Sequence, residues 1–318
     1  MIKKSKQLIS LVIPAYKEEK NIPLIYKEIQ DVLVKIKKYN FEIIFVNDGS
    51  PDTTWLEIKK LCKKDSSVKW INLSRNFGKE ICLTAGIENA QWEAVITLDW
   101  DGQHPVEQIP NFITEWENGF QIVYNKRPNI EWASILKKMS SKAFYGVFNS
   151  ISEFELEDRT TDYRLLDRKV VDYFLQFPER NRLYRGIVDW LGFEKKALVF
   201  DAKARLDNGK SSYSYSQLWN LALNSLTSFS IFPLKLVGYF GMFMTLSSSL
   251  LFAFVIIDKF TIDNFAFSYI AALMLINMAL IWIVLMALGL IALYIARIHE
   301  EVQGRPMYIV KDSINIEK

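Results

Sequence analysis

Two long stretches without a charged residue constrain this chain more than any other feature of its sequence. They extend over Leu236–Ile257 and Asn264–Ala296, about 22 and about 33 residues, whereas a helix needs roughly 20 residues to cross a bilayer. A helical hairpin in a soluble protein would show a polar face at every third or fourth residue, and neither stretch has one. The sequence therefore predicts two transmembrane helices within residues 235–298.

The charges that flank these stretches predict their orientation. Lys235 precedes the first stretch, and Arg297, Arg305 and Lys311 follow the second, whereas the loop between them offers only Lys259. Because basic residues concentrate on the cytoplasmic side, both termini and the N-terminal domain are predicted to be cytoplasmic. The charged first residues have no feature of a signal peptide. We therefore expect a multi-pass protein of the inner cell membrane.

The N-terminal part alternates short apolar runs with helical patterns, which indicates βαβ units and a parallel sheet. The predicted strands are Leu8–Ile13, Glu42–Val46, Val68–Leu73, Ala94–Leu98 and Gln121–Tyr124. Ligands of such sheets bind beyond the carboxyl ends of the strands. One crevice is therefore expected to hold the residues at those ends, which are Pro14, Asp48, Arg75 and Asp99.

Composition excludes several classes of function. A net charge of +3 is too small to indicate a nucleic acid partner. Cys62 and Cys82 lack the spacing of a metal site and are predicted to be core residues. The two histidines, His104 and His299, accompany no serine or cysteine pattern that would indicate a nucleophile, and we expect His104 to be structural.

Two further segments, residues 132–149 and 213–234, have amphipathic patterns. In the first, aromatic and aliphatic side chains share one helical face and three lysines lie opposite. This pattern is typical of a helix that lies in the membrane interface in contact with lipid. Packing against the N-terminal domain requires the same pattern, so the sequence leaves both interpretations open.

The segment AVITLDWDGQHP places two carboxylates at the end of a predicted strand. Asp99 and Asp101 are two residues apart, and Gln103 follows them. Mg²⁺ typically takes one or two protein carboxylates together with substrate phosphates, and the ion would neutralise charge on a leaving diphosphate. A plain acidic turn is the alternative interpretation.

The segment FEIIFVNDGSPDTT places Asp48 just after the second predicted strand. In one interpretation this is a strand–turn–helix connection in which Asp52 or Thr53 caps the next helix. In the other, Asp48 accepts hydrogen bonds from a nucleotide base or ribose.

Together with LISLVIPAYKEEKNIP, these two segments resemble glycosyltransferase family 2. The resemblance implies an α/β domain with the GT-A, Rossmann-like fold, and a nucleotide-sugar donor. It also implies that Asp48 holds the base and that Asp99 and Asp101 bind the donor diphosphate through Mg²⁺ or Mn²⁺, with Gln103 nearby. The residues implied to line the nucleotide pocket are Pro14, Ala15, Tyr16 and Glu18.

The remaining motifs resemble the polyprenyl-phosphate glycosyltransferases within that family, among them bactoprenol glucosyltransferases and dolichol-phosphate mannosyltransferases. They are INLSRNFGKE, TTDYRLLDRKVVDYF, LYRGIVDWLGFE, SLTSFSIFPLKL and ARIHEEVQGRPMYIV. The resemblance implies inverting, metal-dependent transfer of one sugar, from a UDP-sugar such as UDP-glucose, to undecaprenyl phosphate at the cytoplasmic membrane face. It also favours a homo-oligomer, for which the sequence has no independent signal.

Within this resemblance, Asp162, followed by Tyr163 and Arg164, matches the catalytic carboxylate. A loop aspartate paired with Arg159 or Arg164 is the alternative interpretation. A phosphate monoester has a second pKa of about 6, so the acceptor is largely dianionic at neutral pH and needs little help from a base. We therefore expect Asp162 to orient groups more than to remove a proton.

A dianionic acceptor needs cationic side chains to position it. The resemblance assigns the acceptor phosphate to Arg127 and Lys137, where lysine replaces the more usual arginine, and we add Arg164. It assigns the donor diphosphate to Arg205, with Lys210 offset from the usual lysine position at Ser212. Trp100 and Gly102 also depart from the family pattern, which leaves the sugar undefined.

The expected organisation is a GT-A domain over residues 1–212, a juxtamembrane helix over 213–234, two membrane helices over 235–298 and a cytoplasmic tail over 299–318. Two alternative functions remain. A processive polysaccharide synthase would carry a Gln-x-x-Arg-Trp element and more membrane spans, and this sequence has neither. A catalytically idle membrane scaffold would have no need of the charges at Asp99, Asp101, Asp162 and Arg205.

Overall fold

A computed structural model describes residues 7–91, 93–98, 104–126, 160–180, 182–199 and 269–316, together with separate positions between 237 and 250. The chain divides into two compact units. The first comprises residues 1–149, 154–214 and 305–318, and the second comprises residues 150–153 and 215–304.

Four parallel strands form the centre of the first unit: β1 (Leu8–Ala15), β2 (Asn40–Asn47), β3 (Val68–Leu73) and β4 (Ala94–Thr97). Their apolar runs are nearly continuous because helices cover both faces of a parallel sheet. These strands and β5 (Ile122–Lys126) confirm the five predicted strands to within two residues at most ends.

In the described part of the chain, the sheet has eight strands in the order β7-β5-β6-β4-β1-β2-β3-β8. The three strands absent from the prediction are β6 (Thr160–Asp167), β7 (Lys195–Val199) and β8 (Val310–Ile314). β6 runs antiparallel between β4 and β5, and β8 runs antiparallel to β3. The five predicted strands all run in one direction, as predicted for the N-terminal part. The sheet is mixed because of β6 and β8, which the prediction lacked since charged residues interrupt their apolar pattern.

Two layers of helices cover this sheet. On one face lie α1 (Ile22–Leu33), α2 (Thr54–Lys64) and α4 (Ile109–Glu117), which a 3₁₀ turn over Val106–Gln108 precedes. The other face carries α3 (Lys79–Glu88), α5 (Arg168–Gln176) and α6 (Tyr184–Trp190). Cys62 and Cys82 are buried and free, one on each face, which confirms their predicted place in the core.

The C-terminal strand β8 is an edge strand that pairs with β3, although the sequence predicted only a tail from residue 299. Val310 pairs with Leu73 and Ile314 pairs with Trp70. The Tyr308 hydroxyl donates a hydrogen bond of 2.7 Å to Glu88. Residues far apart in the chain therefore build one sheet.

In the second unit, α7 (Tyr269–Val302) is a single long helix. Within it, Ile276–Ala296 has a mean hydropathy of 2.7, and none of its described side chains is buried. Among the residues that the structure describes, this is the one helix long and apolar enough to cross a membrane. It lies in the second predicted span; most of the first span falls outside the described residues.

α3 approaches the sheet closely through Gly86. A Cβ atom at this position would lie 2.2 Å from Cγ1 of Val12 on β1 and 3.1 Å from Cγ2 of Val46 on β2. Val12 is buried and β-branched, so its side chain has little room to move. The absence of a side chain at Gly86 therefore sets the depth at which α3 packs.

We expect Gly86→Ala to lower the free energy of unfolding. Overpacking a core costs about 1–3 kcal/mol, and a 2.2 Å contact is severe enough to exceed the roughly 1 kcal/mol that alanine gains in helix propensity. Adding Val12→Ala should recover part of this loss because it removes the clashing methyl group. Denaturant unfolding of both single variants and the double variant measures the coupling; strictly additive effects would contradict the contact.

Candidate functional site

The candidate site lies at one edge of the sheet. The carboxyl ends of β1, β2, β3 and β4 meet there because the four strands are parallel. β6 is antiparallel to β4, so its amino end reaches the same edge and brings Asp162 beside the end of β4. The Thr97 hydroxyl of β4 donates a hydrogen bond of 2.6 Å to the main-chain oxygen of Asp162.

Asp48, at the end of β2, organises the neighbouring loop. Its two carboxylate oxygens accept hydrogen bonds from the backbone N–H groups of Phe77 at 2.7 Å and Gly78 at 3.0 Å. Its own backbone N–H donates to the oxygen of Ala15 at 2.9 Å. Asp48 therefore ties the ends of β1 and β2 to the residues that precede α3. Contact between Asp48 and a nucleotide base stays a prediction.

Gly49 allows the loops after β2 and β3 to touch. Its φ is +60°, a left-handed conformation that glycine adopts without steric cost. A Cβ atom would lie 2.4 Å from the carbonyl carbon of Arg75, which is backbone and has no alternative rotamer. The close approach places the Arg75 loop over the end of β2.

The other predicted donor-binding residues, at the end of β1 and just after it, lie at the same edge. Ala15 is buried and Pro14 half-buried, whereas the Tyr16 ring is 42% exposed. The backbone N–H of Glu18 donates to the Thr54 hydroxyl at 2.8 Å, and its carboxylate accepts from the Asn21 side chain at 2.5 Å. Glu18 thus helps to build the start of α1, and its contact with a nucleotide stays a prediction.

Asp162 lies between two cations that come from different helices. Its Oδ2 is 2.5 Å from Nζ of Lys79, the first residue of α3. Its Oδ1 is 2.7 Å from Nε of Arg185, the second residue of α6. The carboxylate is 4% exposed, whereas each cationic side chain is 36% exposed.

The electrostatics of this cluster keep Asp162 ionised. Burial alone would raise the pKa of its carboxyl, but the charges of Arg185 and Lys79 outweigh burial and hold that pKa well below its usual range. An acid with so low a pKa is a poor proton acceptor at neutral pH. The arrangement therefore favours the expected orienting role of Asp162 over a role as general base.

A second carboxyl, Glu80, lies beside Asp162. Burial, followed by the negative charge of Asp162, raises the pKa of Glu80 to about 7. Its Oε2 accepts a hydrogen bond of 2.8 Å from the backbone N–H of Tyr184. The Tyr184 hydroxyl lies 2.9 Å from the Thr97 hydroxyl, which links Glu80 back to the end of β4.

Arg164 lies on the same face of β6 as Asp162 but is fully buried. Its Nη1 donates to Oδ1 of Asp189 at 3.2 Å, and its Nε donates to the oxygen of Thr161 at 3.1 Å. In this placement the guanidinium supports β6 and α6 from within. Contact between Arg164 and the acceptor phosphate stays a prediction.

Several predicted site residues lie outside the described residues: Asp99, Asp101, Gln103, Arg127, Lys137, Arg205 and Lys210. Within the part of the chain that the structure describes, no three histidine, cysteine or acidic side chains converge as a metal site. His104 is buried and its ring meets that of Tyr163 edge-on at 5.6 Å, in agreement with its expected structural role.

Sequence reasoning gave no role to Lys79, Glu80 or Arg185, although their segments, RNFGKE and LYRGIVDW, carried the family resemblance. One sequence feature could have indicated a functional role for these residues, because charged residues interrupt otherwise apolar helical patterns in both segments. The ion pair between Lys79 and Asp162 could not be predicted from the sequence, since the two residues are 83 positions apart in the chain.

Comparison with known proteins identifies the family. Residues 10–174 match the model of glycosyl transferase family 2, about half of the chain. The chain belongs to glycosyltransferase family 2. It is therefore a glycosyltransferase, and its α/β domain with a mixed central sheet is GT-A-like, as the resemblance implied.

Relatives of this glycosyltransferase extend over nearly its whole length. A prophage-derived bactoprenol glucosyl transferase from Shigella flexneri is 39% identical over 96% of this chain and 98% of the relative. An uncharacterized glycosyltransferase from Synechocystis is 38% identical over 97% and 96%. A prophage bactoprenol glucosyl transferase homolog from Escherichia coli is 37% identical over 95% and 98%.

Similarity to solved structures is weaker. Glucosyl-3-phosphoglycerate synthase from Mycobacterium tuberculosis, crystallised with Mn²⁺, UDP and glucosyl-3-phosphoglycerate, is 15% identical, with a TM-score of 0.45. The match covers 70% of this glycosyltransferase and 78% of that chain. This similarity is too low to transfer details of the site.

The raised pKa of Glu80 predicts a pH dependence of stability. Its folded pKa of about 7 exceeds the ordinary value of 4.5, so the folded state holds the proton more tightly. The resulting stabilisation is complete below the ordinary pKa and is lost as pH rises through about 7. Between about pH 5 and about pH 8, we expect the enzyme to lose more thermal stability than its Glu80→Gln variant.

Thermal unfolding midpoints in detergent across this pH range provide the measurement. The exposed Glu28 supplies a matched control, because Glu28→Gln should leave the slope of the wild type unchanged. Parallel curves for wild type and Glu80→Gln would show that Glu80 does not titrate in this way.

Proposed function

We propose that this glycosyltransferase moves one sugar from a nucleotide-sugar donor to a polyprenyl phosphate at the cytoplasmic face of the inner membrane, with inversion and with a divalent metal ion. UDP-glucose and undecaprenyl phosphate are the proposed donor and acceptor. The observation that carries the proposal is the Asp162 carboxylate held between Lys79 and Arg185 at the ligand-binding edge of the sheet.

The acceptor proposal is supported by the relatives. Those named bactoprenol glucosyl transferase match this chain over 95% or more of its length, so the similarity includes the long apolar helix as well as the sheet. A lipid acceptor requires the enzyme to work beside a membrane, and α7 has the length and composition for that anchor.

The chemistry of transfer makes modest demands on this chain. The acceptor phosphate is largely dianionic at neutral pH and attacks the anomeric carbon while the nucleoside diphosphate leaves from the opposite side. Asp162 is held ionised by two cations, so in this proposal it orients its neighbours and removes no proton. Holding the acceptor within a membrane plane beside the donor supplies the proximity that raises the rate.

The proposed metal site consists of Asp99 and Asp101, with Gln103 nearby. Two carboxylates next to donor phosphates are a suitable set of hard oxygen ligands for Mg²⁺ or Mn²⁺. Asp99 directly follows Leu98, which is buried at the same edge of the sheet as Asp162. The backbone N–H of Leu98 donates a hydrogen bond of 2.9 Å to the backbone oxygen of Val12. A bound ion supplies charge neutralisation for the leaving diphosphate.

The chain order supports an even number of membrane crossings. β3 precedes α7 and β8 follows it, yet the two strands pair in one sheet. A sheet lies in one aqueous compartment, so the chain between β7 and β8 must return to the side from which it departed. If α7 crosses once, another segment must cross as well, and Leu236–Ile257 is the apolar run available.

We expect the purified enzyme to convert undecaprenyl phosphate and a UDP-sugar into a lipid phosphate that carries one sugar, and chelation of divalent ions should abolish the reaction. Asp101→Asn should lose most activity because it removes a proposed metal ligand, whereas Asp31→Asn on an exposed face of α1 should not. Mass spectrometry of lipid products from UDP- and GDP-sugars provides the measurement. Polymeric products would indicate a synthase instead, and no product from any donor would indicate a scaffold.

The topology proposal predicts the accessibility of single engineered cysteines. Lys311→Cys on β8 should react with a membrane-impermeant thiol reagent only from the cytoplasmic side, and Asp263→Cys only from the opposite side. Both native cysteines are buried, so the background should be low. Labelling of both positions from the same side would contradict two crossings.

A further inference from the structure

We propose that Lys79 and Arg185 form a binding site for a substrate phosphoryl group and that Asp162 positions these two cations. The ligand is a phosphate oxyanion, either the monoester of the lipid acceptor or the diphosphate of the donor. This inference rests on the proposed function, since both sources are substrates of that reaction.

The first argument is the geometry of the cluster. Lys79 and Arg185 contact different oxygens of the Asp162 carboxylate, at 2.5 Å and 2.7 Å. One carboxylate therefore sets the position of two cations on either side of it. Arg185 is fixed further, because its Nη1 donates a hydrogen bond of 2.9 Å to the backbone oxygen of Thr160.

The second argument is exposure. The Asp162 carboxylate is 4% exposed, whereas the side chains of Lys79 and Arg185 are each 36% exposed. The two cations are therefore more accessible to an anion from solvent than the carboxylate is. Partial exposure lowers the desolvation cost of the two cations and also leaves them accessible to an anion from solvent.

The third argument is the balance of charge. Lys79 and Arg185 contribute two positive charges, and Asp162 contributes one negative charge. Glu80 faces the cluster from α3, receives the Tyr184 N–H of α6, and has a pKa raised to about 7. Arg164 is paired separately with Asp189, so the four groups Lys79, Arg185, Asp162 and Glu80 together carry a net positive charge while Glu80 is protonated. Phosphate oxyanions bind to such sites through charge-assisted hydrogen bonds.

The fourth argument is position. Lys79 directly follows Gly78, whose N–H binds Asp48 at the end of β2, and Asp162 is bonded through its main chain to Thr97 at the end of β4. The proposed metal ligands Asp99 and Asp101 come two and four residues after Thr97 in the sequence. Lys79 and Arg185 therefore lie at the edge of the sheet formed by the carboxyl ends of β1 to β4, where the donor and acceptor phosphates are expected to meet.

Amine labelling of the intact enzyme tests this site without turnover. A succinimidyl ester, quantified by peptide mass spectrometry, should react less with Lys79 in the presence of undecaprenyl phosphate alone or of UDP-glucose alone. Undecaprenol, which lacks the phosphate, should give no protection. Lys38, 65% exposed in a surface ion pair with Glu117, is the internal control and should react equally throughout.

Steady-state kinetics distinguish the two sources of phosphate. Lys79→Gln and Arg185→Gln should raise KM for one substrate roughly tenfold or more, the usual effect of losing a charged hydrogen bond. Lys79→Arg should recover much of the loss because it keeps the charge. A raised KM for the lipid phosphate assigns the site to the acceptor, and a raised KM for the UDP-sugar assigns it to the donor.

Unchanged KM values for both substrates, together with no protection of Lys79, would overturn the phosphoryl site even if lipid-linked sugar is formed. Conversely, protection of Lys79 in an enzyme that forms no lipid-linked sugar would refute the proposed function and leave this site standing. The thermal unfolding midpoint of each variant, compared with that of Lys38→Gln, separates loss of binding from loss of fold. If the glutamine variants do not fold, the KM values of Lys79→Arg and the labelling of Lys79 in the wild type decide whether the phosphoryl site exists.

Discussion

The candidate site depends on the burial of one carboxylate, Asp162, between Lys79 and Arg185. Removing a carboxylate from water costs several kcal/mol, roughly, unless charged partners and hydrogen bonds compensate. Here the compensation comes from the start of α3 and the start of α6, while the backbone of Asp162 belongs to β6. A single ion-pair cluster thus connects three elements that are distant in the chain and fixes their relative positions at the edge of the sheet.

The antiparallel direction of β6 makes that cluster possible. Had β6 run parallel to β4, its first residues would lie at the opposite edge, away from the ends of β1 and β2. Inserted between β5 and β4, it presents Asp162 beside Thr97 and leaves Arg164 to pair with Asp189 inside the domain. Asp162 and Arg164 share one face of the strand, yet Asp162 lies at the candidate site and Arg164 lies in the core.

The C-terminal strand β8 is the second antiparallel strand of the sheet and forms one of its edges. Without β8, the backbone groups of β3 would be open to pairing with other chains, a general hazard of edge strands. Its formation requires the chain to return to the sheet after α7, so along the sequence the apolar segment lies between two parts of the first unit. The residues after the apolar helix are consequently part of the sheet of the first unit and do not form a separate tail.

The sequence by itself determined the elements whose signal is local: the buried strands β1 to β5, the uncharged runs, and the family motifs around Asp48 and Asp162. Only the tertiary structure decided which distant charges meet Asp162, that Arg164 is committed to Asp189, and that β6 and β8 join the sheet antiparallel. The reason is physical. Hydrophobic periodicity records which face of a segment is buried, whereas ion pairs across 83 residues and pairing of a polar, exposed edge strand leave no periodic trace.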